Sequence, residues 1–493
     1  MNPSIDFHAF APEIVLTATI LIVLLVDLIW PERSRFVSSR LASVGVLAAL
    51  IPVITLAADG ANREMFGGAY VVDNYALALK AFFLIVAYVS LLVAVDYISD
   101  GNYYQGEFYF LLLISVLGMS VMASARDLVT IFVALETITI PTFVLAGWRK
   151  HDEGSNEAAI KYFLIGVLST AVMLYGMSIV YGETGGKTLL SEIAAFVADP
   201  QTSTTPLFAV AIFLTIGGFA FKVSAVPFHF WTPDTYQGAP TPVTAFLSVA
   251  SKAGGFVALL TIVRFGFFPS QDSWEPALWV LAAASMIYGN LVALRQTNIV
   301  RMLAYSSIAQ GGFILVPLAV AGDGNAARAS FEAVVIYLLI YGAMNLGAFA
   351  VVIAVARRTR SGEISSYDGL GQKMPGLAIT MTIFLFSLAG IPPFAGWFAK
   401  FVMFRAVFSA DTPSAVVLGV IAAVMSVVAF FYYAKVARAM WFHEPSPELA
   451  NTPSRAVTPA LTVAIAISTL VVVVIGVYPQ FFARVGELAF QVS

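Results

Sequence analysis

Four ionisable residues stand deep inside long apolar runs. Glu136 lies at the centre of 128–148, and Lys222 lies in 207–231, one turn ahead of Pro227. Lys252 lies mid-run in 240–266 beside Gly254-Gly255, and Lys400 follows Pro392-Pro393 in 376–408. A charge at the middle of a bilayer costs at least about 2.5–3.5 kcal/mol, so such groups mark ion or proton pathways by default. One carboxylate with three lysines has the chemistry of a proton path rather than a substrate pocket. Desolvation disfavours an ammonium and a nearby carboxylate favours it. Glu136 set against Lys222 is therefore expected to act as a switchable pair. Closed, both are charged; open, Lys222 can pass its proton toward Lys252, the set titrating as one coupled unit. Side chains on separate helices rarely touch, so Ser224, His229, Ser248, Ser251 and Tyr305 are candidate relays, with water between them. His229 is equally readable as a core histidine bonded to freed carbonyls. A static ion pair that only holds helices together is the competing reading of the four charges. Lys80 and Lys161 lie near run ends, where snorkelling to the interface is open to a long side chain. Arg264, Lys435 and Asp27 are placed at the interface on the same reasoning.

The elements that must position these groups are membrane helices. A helix crossing about 30 Å of hydrocarbon needs about 20 apolar residues. Fourteen such runs are read, at 11–30, 41–58, 74–95, 108–124, 128–148, 158–181, 207–231, 240–266, 275–294, 299–321, 331–355, 376–408, 414–438 and 457–479. The connections around 182–206, 356–375 and 439–456 read as short loops. The first run lacks a basic front and a cleavage site and reads as a retained helix. One set of loops, including Arg33, Arg35, Arg40, Arg357, Arg358 and Arg360, carries about twice the Lys and Arg of the other. That asymmetry places the basic set in the cytoplasm and both termini on the outer, periplasmic side.

Two runs are interrupted by proline in similar surroundings, Lys222-Val-Ser-Ala-Val-Pro-Phe-His-Phe-Trp231 and Leu388-Ala-Gly-Ile-Pro-Pro-Phe-Ala-Gly-Trp-Phe-Ala-Lys400. Pro227 and Pro392 are 165 residues apart, and runs four and nine begin at nearly the same offset. Five helices are an odd number of crossings, so a second copy must be inverted, the arrangement of many transporters with broken helices near the site. Backbone groups freed by a proline persist in a membrane only where protein or a wet cavity receives them. The expected organisation is a three-helix segment 1–107, a five-helix repeat 108–267, its inverted copy 274–440, each repeat a proton half-channel, and a C-terminal helix in 441–493.

Composition agrees. The 493 residues are 59% hydrophobic and 11% charged, with mean hydropathy +0.87, against about 25% charged in soluble chains. This excludes a water-soluble enzyme and a disordered chain, and a net charge of −3 offers no basic face to a nucleic-acid backbone. With no cysteine and four scattered histidines, no thiolate metal site, iron–sulfur cluster or haem is expected. The chain is an all-α polytopic membrane protein.

At these residues the sequence resembles the antiporter-like membrane subunits of respiratory complex I, the proton-translocating NADH–quinone oxidoreductase. The resemblance rests on Leu135-Glu136, on Phe221-Lys222 through Trp231, on the loop Pro233-Asp-Thr-Tyr-Gln-Gly-Ala-Pro-Thr-Pro-Val243, on Ser251-Lys252-Ala253 and on Gly390 through Lys400. It spans almost the whole chain. Glu157-Ala-Ala-Ile-Lys161, lysine at Lys400 and the short tail after the last run look most like the bacterial N-type subunit. The resemblance implies that Glu136, Lys222, Lys252 and Lys400 form the hydrophilic axis of a proton channel in a bacterial inner (plasma) membrane. It implies further that NADH, FMN, iron–sulfur clusters and quinone belong to other subunits, with no cofactor in this chain, and that M-type and K-type subunits are neighbours. A subunit of a multi-subunit Na⁺/H⁺ antiporter is the nearest rival. An independent solute carrier and a scaffold with degenerate channels are the others.

Overall fold

The computed structural model describes residues 5–60, 62–101, 106–202, 205–322, 324–451 and 456–489, so both extreme termini and the 452–455 tip lie outside the described residues. The chain opens with α1 (Ala11–Ile29) and α2 (Pro31–Asp59). A small antiparallel hairpin follows, β1 (Arg63–Met65) on β2 (Tyr70–Val72), with Met65 opposite Tyr70. Then come α3 (Asn74–Asp100), α4 (Gly106–Ser124), α5 (Leu128–Ala146) and α6 (Glu153–Glu183), with a short α7 (Leu190–Ala198). The first broken helix is α8 (Pro206–Lys222) with α9 (Trp231–Gly238). Next, α10 (Thr241–Phe246) runs through a five-residue π turn, Leu247–Ser251, into α11 (Lys252–Ile262). The second half holds α12 (Gln271–Ala293), α13 (Ile299–Leu318), α14 (Gly324–Thr359) and one-turn α15 (Leu370–Lys373). Its broken helix is α16 (Pro375–Ala389) with α17 (Gly396–Ala410), followed by α18 (Pro413–Phe442), one-turn α19 (Pro447–Asn451), α20 (Pro459–Val477) and α21 (Gln480–Ala489).

Every sequence-read run coincides with a helix or a broken pair, while among the described residues eleven continuous stretches are long and apolar enough to cross a membrane. The difference has two physical sources. Pro227 and Pro392-Pro393 split two runs, leaving α8 and α16 at 17 and 15 residues. Runs eight and nine instead join without a coil into one 53-residue helical stretch, Thr241–Ala293, carried round by π and 3₁₀ turns. Three connections read as loops also carry structure. The 182–206 segment holds α7, the 356–375 segment α15 and the 439–456 segment α19, while the hairpin at 63–72 and the terminal α21 carry no strong hydropathy signal.

Local chemistry sets the ends. Asp73, Asp127, Asp152, Asn298 and Thr412 each accept a backbone N–H of the helix they precede, which satisfies groups that membrane burial would otherwise strand. α8 stops at Lys222, where Ser224 turns left-handed (φ 61°) and Pro227 follows, which cannot continue a helix's hydrogen bonds. α16 stops at Gly390, whose φ of 90° suits a residue without Cβ.

The stretches α4–α11 and α12–α18 share more than a proline. In the first, the backbone before α5 pairs with the segment after α6: Leu128 N–H donates to Thr188 O and Leu190 N–H to Arg126 O, 2.9 and 3.0 Å. In the second, the backbone before α13 pairs with the segment after α14: Ile299 N–H donates to Gly362 O and Ile364 N–H to Thr297 O, 2.8 and 2.7 Å. Each half therefore has the same order: two helices, a long third helix, a clasp back to the second, then a broken helix. At the centre of the molecule α11 and α13 are buried along nearly their whole length, while α1, α6, α18 and α20 leave apolar faces exposed.

Candidate proton-transfer axis

Lys222, Lys252 and Lys400 are 2%, 1% and 6% exposed; none snorkels to the surface. Lys222 occupies the last turn of α8, where the carbonyl end of the helix favours a cation. Its Nζ donates to Thr139 Oγ1 at 2.7 Å and to the Tyr162 hydroxyl at 3.3 Å. The stem of Lys222 passes over α11 at Gly255, where a Cβ would meet its Cγ at 2.7 Å and its Cβ at 2.9 Å. Gly255→Ala is thus expected to push the ammonium off Thr139 and to lower proton transport several-fold without unfolding the chain. Proton uptake and thermal stability measured on the same preparation check this.

Glu136 does not reach Lys222. Its Oε1 accepts from Thr170 Oγ1 of α6 at 2.9 Å, and no ion pair within 4.0 Å joins it to the lysine. The expected pair therefore stands open in this structure. Thr139, one turn further along α5 than Glu136, takes the ammonium, and its own hydroxyl donates to Leu135 O at 2.6 Å. Glu136 is half-buried because it sits at the margin of an exposed stripe formed by Val129, Val133, Ile140 and Val144.

Lys252 starts α11 directly after the π turn and donates to Ser307 O at 2.9 Å and Ser307 Oγ at 2.6 Å. Ser307 also bonds the Tyr341 hydroxyl at 2.8 Å, and the adjacent Ser306 bonds Tyr433 at 2.5 Å. One turn along α13, Gln310 donates to Leu388 O at 2.9 Å and accepts from Tyr337 at 2.8 Å. The next carbonyl, Ala389 O, accepts from Lys400 Nζ at 2.8 Å. Lys400 thus reaches from α17 back to the carbonyl end of α16, with the Phe313 ring 4.7 Å from its ammonium. A polar strip on α13 therefore spans the distance between the second and third lysines.

The proposed relays fare differently. Ser224 Oγ and His229 Nδ1 are buried without a protein partner at the first helix break, as is Thr232 Oγ1. His229 is buried and packs on Tyr288, ring centres 4.6 Å apart. Ser248 is taken by the Asn345 amide at 2.8 Å. Ser251 is buried beside Lys252, and Tyr305 lies under the Arg301 guanidinium at 6.0 Å. Sequence reasoning missed Thr139, Tyr162, Ser306, Ser307 and Gln310. The Ser306-Ser307 and Gln310 spacing inside an otherwise apolar run was the available signal.

Lys161 is also settled. It donates to Asp234 at 2.7 Å and pairs with Glu157 at 2.6 Å, while Arg301 donates to Asp234 at 2.9 Å and to Gln237 at 3.0 Å. This clamp joins α6, α9 and α13 across the two halves. Burial alone would raise the Asp234 carboxyl, but the hydrogen bonds from Lys161 and Arg301 outweigh it and hold the group below its ordinary value. A lowered carboxyl contributes stability above about pH 4, lost as pH falls through the folded value. Asp234→Asn is expected to remove that acid-dependent component, about 1 kcal/mol or less at a partly exposed site. Acid-unfolding curves of the two proteins in detergent check this.

Comparison with known proteins gives the same picture. The profile of the NADH:quinone oxidoreductase/Mrp antiporter transmembrane family matches residues 125–426. NADH-quinone oxidoreductase subunit N of Trichlorobacter lovleyi is 38% identical over 487 residues, 99% of this chain and 97% of that one. A chain of respiratory complex I from Thermus thermophilus with bound aureothin superposes with TM-score 0.79 at 31% identity, covering 96% of this chain and 98% of that one. A chain of the Mrp complex from Dietzia sp. superposes at TM-score 0.85 over 98% and 97%, but at 19% identity it shows shared fold alone. The near-full-length identity, together with the lysines set at helix breaks, makes this multi-pass membrane chain a member of the NADH:quinone oxidoreductase/Mrp antiporter family, in its subunit N branch.

Proposed function

We propose that the chain is a membrane-arm subunit of NADH–quinone oxidoreductase and translocates protons through Glu136, Lys222, Lys252 and Lys400. The observation that carries this is the placement of three buried lysines on hydroxyls and carbonyls with no carboxylate locking them. An ammonium held only by neutral acceptors can lose its proton without leaving a buried anion unpaired. Opening Glu136 from Lys222 then favours transfer from Lys222 toward Lys252, while the Ser307–Gln310 strip orders the stretch toward Lys400. Ser224 Oγ and His229 Nδ1, which have no protein partner, supply a polar lining for the first break, with His229 a relay there. The two halves act as inverted half-channels, 108–267 and 274–440. Redox energy arrives from NADH, FMN, iron–sulfur clusters and quinone held by other subunits. M-type and K-type membrane subunits cover the exposed apolar faces, one of them along the α5 stripe beside Glu136. The protein lies in a bacterial inner membrane with both termini periplasmic.

The rival reading is a Na⁺/H⁺ antiporter subunit. Inverted membrane vesicles from cells with and without this chain separate the two. NADH-driven proton uptake that requires the chain and is unchanged when sodium is replaced by potassium supports the proposal; uptake that needs sodium overturns it.

A further inference from the structure

Lys80, open to snorkelling on sequence grounds, is instead buried and locked by an ion pair. Its Nζ on α3 stands 2.9 Å from Glu13 Oε1 of α1, neither side chain more than 1% exposed. Ser120 of α4 donates to the same oxygen at 2.6 Å, and Lys80 donates to the Tyr70 hydroxyl of the hairpin at 2.7 Å. Lys400 is held differently. Its described hydrogen bond goes to a backbone carbonyl, Ala389 O, so whatever places that carbonyl places the ammonium.

The last four carbonyls of a helix find no partner within it, and at the end of α16 each finds one elsewhere. Phe386 O and Ser387 O accept the Gly390 N–H, at 3.1 and 2.9 Å, and Phe386 O also accepts Ile391 N–H at 3.0 Å. Leu388 O accepts the Gln310 amide at 2.9 Å, and Ala389 O accepts Lys400 at 2.8 Å. Two adjacent carbonyls thus face two donors, one neutral and one charged. The amide is aimed. Tyr337 donates to Gln310 Oε1 at 2.8 Å, which leaves Nε2 as the end that meets Leu388. A carbonyl without a donor is costly inside a membrane, and the ammonium on the neighbouring carbonyl is a donor that can move to it. The space around Lys400 is also close-fitting: a Cβ on Gly390 would meet its Cδ at 2.7 Å.

Matching α5 to α13 leads to the same residue. Asp127 and Asn298 cap these helices alike, each accepting two backbone N–H groups, and stand 171 residues apart. At that offset Glu136 falls on Ser307 and Thr139 on Gln310. Pro227-Phe228 with Trp231 matches Pro393-Phe394 with Trp397 at an offset of 166, which sets Lys222 on Leu388. Thr139 accepts from the ammonium of Lys222. Leu388 has no such group, and the longer Gln310 takes its backbone carbonyl instead.

We propose that Gln310, aimed by Tyr337, is a positioning residue for Lys400: by occupying Leu388 O it leaves Ala389 O as the single seat of the ammonium. This rests on the proton-translocation reading above, in which Lys400 carries protons beyond the α13 strip. A lysine with one seat gives up and regains its proton at one place; a lysine shared between two carbonyls does not.

The test uses the assembled complex in inverted vesicles, with NADH oxidation by an artificial acceptor reporting assembly, and a cryo-electron microscopy map of the same complex. Gln310→Met keeps the length of the side chain and removes both of its hydrogen bonds. The rate of proton uptake is expected to fall about threefold or more, since a small misplacement of a reacting group has a large effect on rate. The map is expected to show Lys400 Nζ on Leu388 O. Gln310→Met combined with Lys400→Met is expected to lose no more than Lys400→Met alone, because a residue that acts through Lys400 then has nothing to place. Normal uptake in Gln310→Met beside a failing Lys400→Met overturns this inference alone. So does an ammonium still seated on Ala389 O, or a combined variant that loses more than Lys400→Met. Normal uptake in Lys400→Met overturns the part of Lys400 in the axis and this inference together. Should Gln310→Met not assemble, Tyr337→Phe takes its place with the same outcomes, since it keeps the amide and removes the hydroxyl that aims it.

Discussion

Lys222→Ala is expected to cut NADH-driven proton uptake by about tenfold or more, since a positioned proton-transfer group contributes about 10²-fold or more. Quinone reduction should fall with it, because a coupled machine cannot turn over freely with its proton path broken. The side chain removed donates to Thr139 and Tyr162 and has no ion-pair partner, so no opposite charge is stranded by its loss. Assembly should therefore survive, checked by the size of the solubilised complex and by NADH oxidation with an artificial acceptor. Lys222→Arg sharpens the test. Arginine keeps the positive charge but does not release its proton in a protein. If Lys222 only supplies a static charge at the end of α8, arginine restores both rates. If it passes a proton, arginine fails as alanine does. Normal pumping and quinone reduction in an intact Lys222→Ala complex would leave the lysine structural and favour the scaffold reading.

Lys252→Met is the second large effect, and it should split stability from activity. Methionine keeps most of the volume at a site enclosed by α11 and α13 and removes a buried cation that costs at least about 2.5–3.5 kcal/mol to hold there. The loss of two hydrogen bonds to Ser307, each worth about 1.5–3 kcal/mol when charged, offsets all of that gain. The thermal midpoint is accordingly expected to stay within a few degrees of wild type. Proton uptake is expected to fall about tenfold or more, since Ser307 and Tyr341 remain but no longer face a group that can carry a proton between the halves. A variant that pumps normally would show that the second half is fed by another route. A variant that unfolds would show that Lys252 holds α11 on α13.

Much of this chain was legible before folding because the bilayer is a severe selector. Apolar runs of membrane length, the two proline breaks and the few charges inside them are one-dimensional signals, and each fell on a helix or a helix break. The four axis residues were named on cost alone: a residue that is expensive to bury is conspicuous in an apolar run. What the sequence could not determine is which side chains meet. Glu136 and Lys222 are on different helices, and only their packing shows Thr170 and Thr139 as their partners instead of each other. Ser306, Ser307 and Gln310 are cheap residues, ordinary in any helix, and become a connection only because α13 is buried between α11 and the end of α16. Lys80 and Glu13 are 67 residues apart and each lies near a run end, where position along the chain permits either snorkelling or burial. The hairpin and α4 close over them, and that choice belongs to the tertiary structure, because burial is a property of neighbours rather than of sequence position.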